Sequence, residues 1–526
     1  MSFDTTDLLN SSPLILLTLA GLLLLLLDAF SRTKLIGAEH HLKLPAETSQ
    51  AMVAPIAGSR GYLMPMTVIS LLACLALLTW MPNQLGESQG ISLYRDMLVL
   101  DRFGLLVTAI CVIGATLSVI GAPGFLRSHR MEFGEYYALV MFSLCGMVIL
   151  IMSADLVSIF LGVETMSLGV YVLTGSWRRS PRSSEAAMKY FLVGAFVSGL
   201  MVYGIALIYG TVGTTSLAEI HGRTQVLAQR PLFYLGWLLL LVSFLFKVAA
   251  VPFHMWAPDT YEGAPTPVSG FMMTGVKAAA FAGFVRIFVG ALGSPDTSML
   301  PYTGWVHALY ALSILTMTLG NLGALRQDNI KRMLAYSSIA HAGYLMIGII
   351  ALPVVGDEAR GPLLYYLFAY TVTVVGAMGV VAWLGRDEKG PAGERLRLED
   401  WAGMAQRNPA AALAMTIFLL SLGGFPPTAG FFGKFYLFRV ALSKPTLMPL
   451  VLVGIANSLV SVYYYLRIIT AMYFRSPPAQ PTTEPIQSQS LSTAVLLAAL
   501  MVLGFGVMPE WLANLCNAAT FGPFGH

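Results

Sequence analysis

The chain is a succession of apolar runs of about twenty residues, separated by short polar connections. At 1.5 Å per residue, each run is long enough to cross a hydrocarbon layer about 30 Å thick. The runs fall at 13–30, 61–81, 103–122, 134–153, 155–176, 187–211, 231–256, 264–292, 301–323, 331–353, 362–385, 409–438, 446–474 and 490–512. This pattern predicts an all-α integral membrane protein with about fourteen transmembrane helices. The longest polar connections, 31–60, 212–230 and 386–408, are too short to fold as soluble domains. Residues 1–526 therefore read as one polytopic domain. The first run reads as a spanning helix rather than a leader: the first ten residues carry Asp4 and Asp7 but no Lys or Arg, and no small-x-small site follows.

Composition agrees with this pattern. Hydrophobic residues make up 56% of the chain and charged residues only 11%, against roughly 25% charged in a soluble domain. The net charge of +4 matters less than where the charges lie. Connections after odd-numbered runs hold about eighteen Lys and Arg, among them Arg32, Lys34, Lys43, Arg60, Arg178, Arg179, Arg182, Arg326, Lys331 and Arg332. The other connections hold about seven. The positive-inside rule places the first set in the cytoplasm and both termini outside it.

Several ionisable residues lie inside the runs: Glu164, Lys189, Lys247, Lys277, Arg286, Lys434 and Arg467. Glu164 is nine residues past Asp155, about 13 Å deep, and Lys277 is about 20 Å into its run. A lysine at a helix centre costs roughly 2.5–3.5 kcal/mol, so such residues face a bundle interior or an aqueous path. Static ion pairing is the competing explanation for each one singly. It explains four lysines and a glutamate together poorly, because small residues pack helices at lower cost. Arg286 and Arg467 lie nearer the ends of their runs, where snorkelling or end pairing suffices.

Two runs are interrupted alike, at Pro252 in the seventh and at Pro426 and Pro427 in the twelfth, each near a lysine. Proline frees backbone carbonyls that must find other partners. Paired broken helices point to an inverted-repeat transporter. Runs four to eight (134–292) and nine to thirteen (301–474) form two sets of five, with the breaks at the same place in each. Three helices precede them (1–133) and one follows (490–526). Burial loosens a lysine's hold on its proton, and a carboxylate about 4 Å away restores about 4 kcal/mol at an effective dielectric of about 20. A row of such lysines can therefore pass protons sideways, with His254 and His341 as intermediate stations.

Cys74, Cys111, Cys145 and Cys516 show no CxxC spacing, and no glycine-rich nucleotide loop is present. If the protein takes part in redox chemistry, its cofactors sit on other chains.

The stretch Asp155 to Tyr171, the run Ala186 to Phe191, the segment Val251 to Pro267, the run Tyr336 to Tyr344 and the sequence Phe431 to Phe435 resemble the antiporter-like subunits of respiratory complex I, the N-type most of all. That resemblance covers roughly the fourth to thirteenth helices. It implies that Glu164 pairs with Lys247, that Lys277 relays protons through the middle, and that Lys434 faces the outer exit. Lys189 matches a further sixth-helix lysine of the N-type. The M-type carries glutamate in place of Lys434, and the L-type continues into a long lateral helix. The resemblance also implies that NADH, FMN, iron–sulfur clusters and quinone are held by other subunits. The implied partners are neighbouring antiporter-like and small membrane subunits and the lipid bilayer, with no nucleic acid. Subunits of multi-subunit sodium/proton antiporters share these features but usually carry a histidine ahead of the eighth-helix lysine. This chain reads Gly270-Phe271-Met272-Met273-Thr274-Gly275-Val276-Lys277 there. A non-transporting scaffold would leave the buried charges unexplained.

Overall fold

The computed structural model describes residues 5–41, 61–86, 90–129, 131, 133–227, 230–293, 304–384, 394–477, 486 and 488–522. Among them, twelve helices are long and apolar enough to cross a membrane. In chain order, α1 to α6 are Ser12–His41, Leu63–Trp80, Arg102–Ser128, Gly134–Met152, Leu156–Thr174 and Pro181–Val212. Two shorter apolar helices, α7 (Pro231–Lys247) and α12 (Pro409–Gly423), stand where the sequence is broken by proline. Each resumes after its break, as Trp256–Gly263 and Ala429–Ala441 respectively. Between them lie α8 (Thr266–Ala291), α9 (Trp305–Leu325), α10 (Ile330–Val355) and α11 (Arg360–Trp383). Last come α13 (Met448–Phe474) and α14 (Gln489–Val507).

Helices α8, α10 and α11 form the centre and are buried along most of their length, with α3 and α4 beside them. Helices α1, α2, α6 and α13 expose most of their apolar surface, as lipid-facing helices do. Helix pairs α4–α5 and α9–α10 pack through glycines. A Cβ on Gly146 would lie 2.1 Å from Met166 N, and one on Gly162 2.5 Å from Leu150 N. Likewise, a Cβ on Gly320 would lie 2.6 Å from Ala340 N. Close backbone approach is how apolar helices gain contact energy in lipid, where no hydrophobic force pairs them.

Several helices depart from the hydropathy reading. Helix α3 runs six residues beyond the predicted 122 and carries Pro123 inside it, while α6 begins six residues early, at Pro181. Helix α14 stops at Val507 because Pro509 cannot continue it, and a short helix, Pro509–Asn517, follows. The expectation of an all-helical chain also needs one addition. Strands β1 (Gly90–Leu93) and β2 (Leu98–Asp101) form an antiparallel hairpin between α2 and α3. Residues 42–60, with Lys43 and Arg60, the start of the ninth predicted run at 301–303, and 385–393 lie outside the described residues.

The glycine contacts give a direct test. Gly146→Ala should destabilise the α4–α5 pair by roughly 1–3 kcal/mol, the usual cost of overpacking. It should be seen as less folded protein in detergent-extracted membranes. Gly199→Ala, where nothing lies within 4 Å of the added carbon, should leave the yield unchanged.

A row of buried lysines at two broken helices

Lys247 is the last residue of α7. The helix ends there because Ala249 takes a left-handed backbone (φ 58°) and Pro252 brings no amide hydrogen. Left-handed backbone costs a residue with a Cβ about 1–2 kcal/mol, so this turn is held by its surroundings. Ala250 N donates to Leu245 O (2.8 Å), and Val251 N donates to Thr316 Oγ1 on α9 (3.0 Å). The Phe246 carbonyl accepts from both Ala249 N (3.0 Å) and the Trp256 indole (3.1 Å).

Helix α12 ends in the same manner, with Gly424 left-handed at φ 82°. Here the freed carbonyl of Leu422 accepts from Lys434 Nζ (2.8 Å), which also donates to Ser458 Oγ on α13 (2.9 Å). An ammonium at the carbonyl end of a half-helix sits where the helix dipole favours it. The Val251–Pro252 and Pro426–Pro427 bonds are both cis.

Lys277 lies midway, on α8, directly after a π-helical turn at Met272–Val276. Such turns insert a residue and re-aim the side chains beyond them. Lys277 Nζ donates to Ser338 O (2.7 Å) and Ser338 Oγ (2.5 Å) on α10. Tyr370 OH also donates to Ser338 Oγ (2.8 Å), and its ring lies 5.7 Å from the ammonium. One turn along α10, His341 Nδ1 shares a hydrogen bond with Tyr366 OH (2.6 Å) and Nε2 with Tyr465 OH (3.2 Å). Lys434 Nζ stands 5.1 Å from the Tyr344 ring, also on α10. Lys277, His341 and Lys434 thus share one polar seam. The described side chains give no continuous hydrogen-bonded link from Lys247 to Lys277.

The three lysines are 1–5% exposed, and among the described residues none has a carboxylate oxygen within 4.0 Å. Glu164 does not touch Lys247. Its Oε1 accepts from Ser198 on α6, while Lys247 Nζ donates to Ser167 Oγ (2.8 Å), one turn from Glu164 on α5. The direct pair that the resemblance implied is therefore replaced by an arrangement one helical turn apart. Other cations behave differently. Arg286 is fully buried and forks onto Asp101 (2.5 and 2.7 Å). Lys331 meets Glu394 at 3.0 Å, and Arg467 meets Asp328. The end-pairing explanation fits Arg286 and Arg467.

Lys189 is not in the bundle interior. Its side chain is 46% exposed, and it pairs with Glu185 (2.7 Å) and Asp259 (3.0 Å). The early start of α6 puts it only two turns from that helix's N-terminus. Asp259 also meets Arg332 (2.7 Å), and Glu262 meets Arg332 (3.0 Å) and Arg182 (3.7 Å). Burial pushes the Asp259 carboxyl up, but its bonds to Arg332 and Lys189 outweigh that and hold it below the ordinary carboxylate range. His254 sits half-buried in the α7 break, and its Nδ1 has no partner among the described residues.

The sequence reading missed the neutral acceptors: Ser167, Ser338, Ser458 and the Leu422 carbonyl. It also missed the tyrosines at 366, 370 and 465. Ser338 lies in the Tyr336–Tyr344 run, three residues before His341, so spacing on one helix face could have found it. All four cysteines are buried and free. No group of three His, Cys, Asp or Glu residues among the described ones could hold a metal ion.

Fold and seam together define an antiporter-like membrane subunit. The chain belongs to the NADH:quinone oxidoreductase/Mrp antiporter membrane family, which residues 153–461 match. NADH-quinone oxidoreductase subunit N 1 of Sorangium cellulosum is 43% identical over 510 residues, 95% of this chain and 95% of its own length. A chain in the solved respiratory complex I of Thermus thermophilus with bound aureothin is 30% identical. It superposes with a TM-score of 0.74 over 96% of this chain and 100% of that one. A chain of the Mrp complex from a Dietzia species has a TM-score of 0.77 over 98% of this chain and 97% of its own. At 21% identity, it shares the fold alone.

Proposed function

We propose that this chain is a proton-translocating membrane subunit of a bacterial NADH-quinone oxidoreductase, and that Glu164, Lys247, Lys277 and Lys434 carry the proton. The observation behind the residue roles is the contrast between two kinds of buried cation. Arg286 and Lys331 are locked to carboxylates. Lys247, Lys277 and Lys434 are held by hydroxyls and carbonyls, which bond the ammonium more strongly but can also hydrogen-bond the neutral amine, whereas a carboxylate favours the charged form by a full ion pair. A lysine held in this way can release and regain its proton without breaking its surroundings.

In this reading, Glu164 acts on Lys247 through the Ser167 turn, and His341 with its two tyrosines links Lys277 to Lys434. Lys189 and His254 stand nearer the aqueous phase, Lys189 in the ion cluster around Asp259. The inverted division into 134–292 and 301–474 is supported by three parallels. Each half has a glycine-packed helix pair at its start, a broken helix in fourth place, and a lysine at the break. Residues 1–133 and 490–526 flank the two. NADH, FMN, iron–sulfur clusters and quinone belong to other subunits of the complex, and the lateral neighbours are its other membrane subunits. The fold likeness to an Mrp chain does not separate oxidoreductase from antiporter. The identity of about 43% to a relative named subunit N favours the oxidoreductase.

Two measurements follow from this. Glu164→Gln should lower NADH-driven proton uptake by inverted vesicles, and adding Lys247→Ala should lower it little further, because residues acting as one unit are strongly non-additive. Fully additive losses would show that the two act independently.

The orientation proposed from the Lys and Arg bias puts both termini in the periplasm of the inner membrane. Reporter fusions should show residue 180 cytoplasmic and residue 515 periplasmic, and cytoplasmic activity at 515 would overturn the fourteen-crossing topology.

A further inference from the structure

Glu394 lies on the connection between α11 and α12, yet it is only 9% exposed. Its Oε2 is 3.0 Å from Lys331 Nζ in the first turn of α10, and its Oε1 accepts from the Thr266 hydroxyl at the start of α8. Lys331 Nζ also donates to Ala264 O (2.7 Å). Backbone bonds fix the segment in place: Ile330 N donates to Leu396 O (2.8 Å), and Leu398 N to Asp328 O (2.9 Å). One buried carboxylate therefore straddles the two helices that hold Lys277 and its acceptor.

Ser338 follows Lys331 by seven residues, so the two share a face of α10, while Lys277 follows Thr266 by eleven along α8, across the π-helical turn that re-aims it. The separations are about 10 Å and about 16 Å along the two axes. A tie between α8 and α10 alone would be served as well by an apolar contact, since a buried ion pair adds little net stability. Lys247 has Glu164 one turn away from its acceptor. Like Lys247, Lys277 has no carboxylate within 4.0 Å among the described residues; the buried carboxylate on its own helix pair is Glu394, at the end of the bundle carrying the basic connections.

We propose that Glu394 takes up protons on the cytoplasmic side and supplies them to Lys277, with Lys331 as a permanent counter-charge. This rests on the relay reading of Lys277. The Glu394 carboxylate accepts a proton from cytoplasmic water and becomes the neutral acid. It then passes that proton through intervening water to the unprotonated amine of Lys277. The carboxylate is restored, and the ammonium is left on Ser338. Lys331 stays protonated throughout: the Ala264 carbonyl holds its ammonium while Glu394 is neutral, and the ion pair re-forms once the proton has moved on.

The test is NADH-driven proton uptake by inverted vesicles containing the intact complex, normalised to the amount assembled. Glu394→Gln should lose uptake, while Glu394→Asp should keep most of it. Because Glu394→Gln leaves Lys331 buried without its partner and can impair assembly, the decisive variant is the neutral pair Lys331→Met/Glu394→Gln. A purely structural tie predicts that the neutral pair both assembles and pumps. The proposal predicts that it assembles and fails to pump, and normal pumping by it would overturn the proposal. Lys277→Ala separates the two levels. If it abolishes pumping while the neutral pair pumps normally, only the role of Glu394 falls. If Lys277→Ala also pumps normally, the relay reading falls with it.

Discussion

A lysine ammonium in the middle of an apolar bundle must be stabilised by something, and what stabilises it decides whether it can let its proton go. An adjacent carboxylate fixes the charge, and separating such a buried pair costs several kcal/mol. A hydroxyl or carbonyl oxygen holds the nitrogen in place without fixing its charge. Lys247, Lys277 and Lys434 are all of the second kind. The carboxylate-paired cations cluster toward the bundle ends, where Arg286 and Lys331 tie helices together.

The broken helices make this arrangement possible. An unbroken helix spends its carbonyls on its own ladder and has few to spare for a side chain. Stopping α12 at a left-handed glycine frees the Leu422 carbonyl for Lys434. Stopping α7 at Ala249 leaves Lys247 at a helix end, with its nitrogen turned to α5. On α8 the same need is met differently. The helix continues, a π-helical turn re-aims Lys277, and α10 supplies both oxygens of Ser338. The seam therefore depends on irregular backbone placed where it is enclosed by other helices, the one setting in which a membrane tolerates it.

Much of this was legible in the chain itself. Hydropathy located the spanning helices to within several residues, apart from α1, which runs on eleven residues past the predicted 30 to His41, and the prolines at 252, 426 and 427 marked both breaks. The depth of Lys247, Lys277 and Lys434 in their runs marked them as internal. What the sequence could not show was which partner each cation takes, because ion pairs such as Asp101 with Arg286 join residues 185 positions apart. Lys189 read as internal because it falls within the apolar run at 187–211, yet it is only the third residue of that run, and the N-terminal extension of α6 places it in the surface cluster. The serines and tyrosines of the seam gave no signal, since hydroxyls in membrane helices more often bond their own backbone, as Thr67 does to Leu63.

The most direct test of proton release from these lysines is a substitution that keeps the charge but not the exchange. Arginine stays protonated under all conditions a protein meets. In Lys277→Arg, the assembled complex should hold its normal amount and stability. NADH-driven proton uptake into inverted vesicles, normalised to that amount, should be lost. Uptake equal to that of the unaltered complex would mean that a fixed positive charge at this position is enough, and that the lysine's proton never moves.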